Sequence, residues 1–281
     1  MKKIGFVDYY ISEWHAHNYP TWIKEQCAKL GLDYQVSYGW ATKDVSEYDG
    51  KTTAEWCAEY NVEKCLSAKE LCDKSDCIVI LAPSNPEQHL NLVKEVFPHA
   101  KGKRIYIDKT FAPNLNVAKE IYNLADKYDI SFFSTSALRY ADEIKGFSNC
   151  EIAVTTGGGG NFEEYIIHQV EMVVKTVGVD VIRAKTESYE DSDVCTVEFA
   201  GGKVAKMKYS PKFGFSINLT QNGNVSELPI NSDFFRTLIE KIILFFENGE
   251  IDFNKEQTLA VMAIREAVIK SKNNNGAWIE L

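Results

Sequence analysis

The sequence predicts an α/β fold in two parts: a doubly wound parallel sheet over residues 1–137, then an α+β domain with a mostly antiparallel open sheet over residues 138–281. Two observations carry the prediction. In the first part, short apolar runs alternate with stretches of helical period, as βαβ units with doubly covered strands require. Past about residue 137 the alternation stops, and one helix is followed by several strands in succession and two closing helices.

The elements follow in order. Residues 3–7 read as a buried strand, 19–30 as a helix, 33–38 as a strand, and 53–59 and 67–74 as helices. The apolar run 77–81 is a strand, 86–97 a helix, 104–107 a strand, 115–127 a helix and 130–134 a strand. In the second part a strand at 150–155 leads through a glycine run into a helix at 162–177, then strands at 181–188, 194–200, 203–209 and 215–221. Gly201-Gly202 marks a hairpin, because two glycines supply the positive φ of a tight turn. Helices at 233–248 and 255–271 close the chain, stopped by Asn248-Gly249 and by the run Asn273 to Gly276.

Composition narrows the function classes. A net charge of -9 and a pI near 5.2 leave no basic footprint for nucleic acid or an anionic membrane, so any anionic ligand must be held locally. The cysteines at 27, 57, 65, 72, 77, 150 and 195 are odd in number and lack CxxC pairing, which reads as reduced thiols in a cytoplasmic protein. No run of about 18 apolar residues occurs, so a membrane span is not expected.

Ligands of open parallel sheets bind outside the carboxyl ends of the strands, which selects the turns at 8–14, 39–43, 82–85 and 108–110. The fourth carries Lys109, able to exchange a proton with a substrate oxygen if its site lowers its pKa, or else a solvated lysine at a strand end. On the helix at 162–177, Glu164 and His168 are four residues apart and share a face, so the carboxylate can orient the imidazole. Two plainer readings stay open: Asn161 and Glu164 have capping-box spacing, and His168 is an ordinary polar residue of a packed helix. His15-Ala16-His17, with Asp8 and Glu13 nearby, raises a metal-dependent hydrolase. A metal site needs further ligands at later strand ends, however, and none stands out, so no metal is expected.

Four segments, in this order, resemble the glucose-fructose oxidoreductase / inositol dehydrogenase (Gfo/Idh/MocA) family over nearly the whole chain. They are the strand and turn Ile78 to His89 with Ala82-Pro83, then Asp108-Lys109-Thr110 in the place of Glu-Lys-Pro, the run Gly158-Gly159-Gly160 through Glu164 to His168, and the closing helix with Asn275 to Leu281. The resemblance implies a Rossmann-type first domain that binds NAD or NADP, and hydride transfer to or from a sugar, polyol or related hydroxyl carbon. It implies that Lys109 relays the proton of the reacting oxygen, that His168 is the general acid/base and that Glu164 orients the pair. The cofactor would meet Asp8, Tyr9, Tyr10, Trp40, Thr42, Ala82, Pro83, Ser84, His89 and Asp108. Such proteins often form homo-oligomers, dimers or tetramers, through the open sheet.

The departures matter as much. The family's Gly-x-Gly-x-x-Gly has no counterpart after Gly5, since Asp8 and Tyr10 stand near the first two glycine positions, where a carboxylate and a phenol oppose a pyrophosphate. The second strand ends in Gly39-Trp40-Ala41-Thr42-Lys43 without an acid for the adenine ribose; Thr42 and Lys43 suit a 2'-phosphate instead, a thin hint toward NADP, and Thr110 replaces a proline. The alternative to an oxidoreductase is therefore a ligand-binding or regulatory member of the same fold that has lost normal dinucleotide binding.

Overall fold

Six parallel strands form the first sheet in the computed structural model, which describes residues 1–281. In chain order the elements are β1 (Lys2–Asp8), α1 (Trp14–Leu30), β2 (Tyr34–Ala41), α2 (Thr53–Glu59), β3 (Glu63–Lys64), α3 (Ala68–Lys74), β4 (Cys77–Ile80), α4 (His89–Val96), β5 (Arg104–Ile107), α5 (Leu115–Tyr128) and β6 (Ser131–Ser134). The strand order β3-β2-β1-β4-β5-β6 is that of a doubly wound nucleotide fold, with the direction of progression reversing between β1 and β4. Ile4, Phe6, Val7, Ile78, Val79, Ile80, Ile105, Tyr106 and Ile107 have no exposed surface. Burial of such side chains contributes about 1.5–3 kcal/mol each and anchors the strand ends that carry the turns. Gly5 lets α3 lie against β1, because a Cβ there would stand 2.5 Å from both Leu71 Cδ2 and Ser75 Oγ.

One helix begins earlier than the sequence pattern indicates. α1 starts at Trp14 and not near residue 19, with Pro20 inside it. The Glu13 side chain accepts from the His15 and Ala16 amides, and this cap supports a first turn ahead of the proline.

The second sheet contains β7 (Ile152–Gly157), β8 (Val181–Ser188), β9 (Asp193–Phe199), β10 (Val204–Tyr209), β11 (Ser216–Gln221), β12 (Asn224–Pro229) and β13 (Ile279–Glu280) in the order β12-β11-β7-β10-β9-β8-β13. Only β7 and β10 pair in parallel. The helices after β6 are α6 (Phe162–Val177), α7 (Phe234–Asn248) and α8 (Lys255–Asn273). Thr155 on β7 donates to Gln169 Oε1 of α6 at 2.6 Å, which marks the helix-covered face, while Ile152 and Val154 of the opposite face are exposed.

The chain divides into two units, one of Met1–Ser134 with Leu238–Asp252 and one of Thr135–Thr237 with Phe253–Leu281. The sequence reading assigns all of 138–281 to the second domain, whereas most of α7 belongs with the first. The reason is packing: Phe245 meets Phe133 edge-on at 5.0 Å, Arg104 Nη1 donates to the Phe246 carbonyl at 2.7 Å, and Tyr34 Oη donates to Glu247 Oε2 at 2.7 Å. No helix is long and apolar enough to cross a membrane.

Candidate functional site

The turn after β1 is packed down. Tyr10 (9% exposed), Ile11 and Ser12 (1% each) and Glu13 (5%) are all buried, and only Trp14 (40%) stands out. The first amides of a helix are its anion seat, since they lack intrahelical partners and carry the positive end of the dipole. Here Glu13 fills that seat. Its Oε2 accepts from the His15 amide at 2.8 Å and its Oε1 from the Ala16 amide at 2.6 Å.

Two further acids lie buried at the carboxyl ends of β1 and β5. Asp8 Oδ1 accepts from the Tyr9 amide at 2.6 Å while its Oδ2 has no hydrogen bond, and burial, then Glu13, push its carboxyl well above the usual carboxylate range. Asp108 Oδ1 accepts from Tyr106 Oη at 2.9 Å and Tyr19 Oη at 3.3 Å; its Oδ2 faces His15 Nε2 at 3.6 Å. His15 also meets Glu13 Oε2 through Nδ1 at 3.2 Å, so this histidine is spent inside an acidic cluster. His17 points elsewhere, to Tyr60 Oη at 2.8 Å and Ser12 Oγ at 3.1 Å. No group of three or more His, Cys, Asp or Glu side chains has the geometry to hold a metal ion.

On β2's side, Thr42 donates from its amide to Asp8 O at 3.2 Å and from Oγ1 to Tyr9 O at 3.3 Å, while Trp40 is half-buried beside β1. The Lys43 ammonium pairs with Glu47 and lies 5.7 Å over the Tyr9 ring.

The third and fourth turns form one construction. Ala82 has φ +65° and, like Pro83, is buried; Ser84 is exposed. Lys109, 7% exposed, donates to the Pro83 carbonyl at 3.5 Å, and the Lys109–Thr110 peptide is cis. His89, with no exposed surface, holds this turn from behind. Its Nδ1 lies 2.9 Å from Thr110 O and 3.1 Å from Phe111 O, and its Nε2 contacts Leu81 O. Burial lowers the His89 pKa below its ordinary value, outweighing the carbonyls that favour the charged ring. Its position suits fixing Lys109's turn and leaves no surface for touching a ligand.

In the second unit the glycine run is a packing device. A Cβ on Gly158 would stand 2.1 Å from the Ser210 carbonyl, and one on Gly159, at φ +148°, 1.9 Å from the Tyr165 ring. α6 starts immediately after, with Asn161 Oδ1 accepting from the Glu164 amide at 2.8 Å and Asn161 Nδ2 donating to Glu164 Oε2 at 3.2 Å. The cap is therefore real, and it holds the Glu164 carboxylate at the helix start. His168 is half-buried, with Nδ1 2.6 Å from Ser136 Oγ and its ring flanked by Tyr165 and Phe215. Ser136 is pinned in turn, because its amide donates to Glu171 Oε1 at 3.1 Å. Glu171 and Arg139 are a buried pair, 3.4 Å between Nε and Oε2, and burial raises the Glu171 carboxyl above its usual value.

The structure thus places Asp8, Tyr9, Tyr10, Thr42 and Asp108 around the start of α1, and Ala82, Pro83 and His89 around Lys109. Lys109 belongs to the first unit, and Glu164 and His168 to the second. Sequence reasoning does not find Glu13's cap, Ser136 or Glu171. Glutamate is a poor N-cap signal, and Ser136 carries no mark beyond following a strand. Glu171, three residues after His168, shares its helix neighbourhood and was the most findable of the three.

Solved structures resemble the chain over its full length. The myo-inositol dehydrogenase from Lactobacillus casei in complex with NAD(H) and myo-inositol is 12% identical with a TM-score of 0.78, covering 100% of this chain and 97% of that one. The scyllo-inositol dehydrogenase of the same organism, with bound NAD(H) and scyllo-inositol, is 10% identical with a TM-score of 0.76, covering 100% and 99%. A UDP-N-acetylglucosamine 3-dehydrogenase from Acidithiobacillus ferrooxidans is 13% identical with a TM-score of 0.74, covering 96% and 98%. The chain has the fold of these dehydrogenases, the one the sequence resemblance implies. No protein-family model matches the sequence, and no curated protein does.

The residues at α1 do not fit the pyrophosphate of a dinucleotide in the pose usual for this fold. That pose needs open amides and no neighbouring anion. Glu13 takes the His15 and Ala16 amides, and the buried Asp8 and Asp108 carboxyls lie at the carboxyl ends of β1 and β5.

Proposed function

We propose that the protein is an oxidoreductase that passes a hydride between a nicotinamide cofactor and a sugar, polyol or related small hydroxy compound. The observation that carries the reading is the held state of the two proton-handling residues. Lys109 is buried directly after β5 on a turn fixed by His89, and the His168 ring is oriented through Nδ1 by Ser136. The full-length likeness to inositol and sugar dehydrogenases supports it. In this reading Lys109 Nζ meets the reacting oxygen and steadies charge on it, and His168 exchanges that oxygen's proton. Glu164 sets the field at the start of α6. Such groups contribute about 10²–10⁴-fold each. A homo-oligomer through the face bearing Ile152 and Val154 belongs to the same proposal, and light scattering checks it.

The test is turnover of inositols, hexoses and UDP-sugars with NAD(H) and NADP(H), followed by nicotinamide absorbance. Lys109→Ala and His168→Ala should lower kcat by about 10² or more with an unchanged fold; unaltered rates reject the role assignment. A second reading, a ligand-binding module without redox turnover, is favoured by Glu13's place at α1. A sugar or nucleotide that raises Tm with no redox change under any cofactor would select it.

A further inference from the structure

We infer that Glu13 is a tethered anion occupying the diphosphate seat of α1, so that a dinucleotide reaches that seat only by displacing it. The inference deepens the oxidoreductase reading and rests on it, since it concerns how this chain admits a nicotinamide cofactor. Three observations carry it.

The first is the contact itself. Both Glu13 carboxylate oxygens are used on consecutive amides of α1, at 2.8 and 2.6 Å, the hydrogen bonds a phosphate oxygen would take. The second is that the side chain is locked. Glu13 is 5% exposed, its Oε2 also meets His15 Nδ1 at 3.2 Å, and its backbone amide donates to Ile11 O at 3.0 Å. The third is the filling of the loop. The turn that glycines would leave open holds Tyr10, Ile11 and Ser12, all buried, and Ser12's carbonyl accepts from Ser46 Oγ, which ties it to the segment after β2. Carboxylate and phosphate are both anions that seek helix N-termini, and one seat cannot hold both. Asp8 differs from Glu13: its bound oxygen takes the Tyr9 amide, which precedes the helix.

The experiment is a calorimetric titration of the full chain with NADH, ADP and adenosine, on the wild type, Glu13→Ser and Asp8→Asn. Serine is a good N-cap and keeps the helix start while removing the carboxylate. Glu13→Ser should bind NADH and ADP tenfold tighter or more, which corresponds to about 1.4 kcal/mol of relieved competition. Adenosine, without phosphate, should bind unchanged, and Asp8→Asn should shift NADH affinity less than Glu13→Ser does. Should the serine variant fail to fold, Glu13→Gln, of the same shape and uncharged, gives the same comparison. Equal NADH affinity in wild type and Glu13→Ser overturns the inference, as does equal tightening for adenosine, an equal effect of Asp8→Asn, or no NADH binding by any variant. The oxidoreductase reading fails separately, if NADH binds but no substrate is turned over.

Discussion

Removing the Glu171 carboxylate tests the scaffold behind His168. In Glu171→Ala the Arg139 guanidinium, 3% exposed, loses its buried carboxylate, and the Ser136 amide loses its acceptor. Breaking a buried pair from one side costs about 3–5 kcal/mol. Arg139 keeps its hydrogen bond to Gln257 Oε1 and its place 4.2 Å over the Phe253 ring, so the low end applies, about 3 kcal/mol. For a chain of this size that is a Tm drop of roughly 6–12 °C. Replacing both partners, Arg139→Leu with Glu171→Met, should recover most of the loss, because the stranded charge leaves with the carboxylate. Urea unfolding of the two single variants and the double variant gives the coupling. A value below about 0.5 kcal/mol would refute the claim that the two side chains act as a buried ion pair.

Other predictions follow from the same packing. Asp8 is held above its ordinary carboxyl value of 3.8, so the folded chain binds a proton there that the unfolded chain releases, and stability falls as pH rises from about that value through the raised one. Asp8→Asn should therefore be more stable than wild type at neutral pH, with the gap closing as pH falls toward 4; urea midpoints across that range check the sign. Gly158→Ala drives a methyl to 2.1 Å from the Ser210 carbonyl, a backbone atom that moves only with its loop, and should cost about 2 kcal/mol or more by thermal melt. A loss under about 0.5 kcal/mol would mean the loop gives freely.

Much of the fold is legible because its signals are local. α2 and α6 occupy the residues that periodicity assigns them, each opened by a polar side chain accepting from the third residue on, Thr52 from Glu55 and Asn161 from Glu164. The β9–β10 hairpin sits on Gly201 and Gly202, both with positive φ. What escapes is very short, or polar, or set by partners distant in the chain. β3 and β13 are two residues long, and β12 is a polar edge strand with no apolar alternation. β11 and β12 are joined by the Asn222-Gly223 turn, with φ +53° and +77°, a local hairpin signal that the sequence reading passes over. At the candidate site, residue types that bear chemistry were visible as such. Their employment was not: the same Glu13 that reads as a loop acid is a helix cap only once Pro20 is seen to lie inside α1.

The return of α7 to the first unit bears on how the protein can be dissected. A fragment ending at residue 137 keeps all six strands of the nucleotide-type sheet yet strips Phe133 of Phe245 and leaves Arg104 and Tyr34 without Phe246 O and Glu247. Such a fragment should expose apolar surface and bind a hydrophobic dye. The nucleotide-type half is therefore not a portable cassette: to graft, swap or express it alone, residues 238–252 must be spliced back to it.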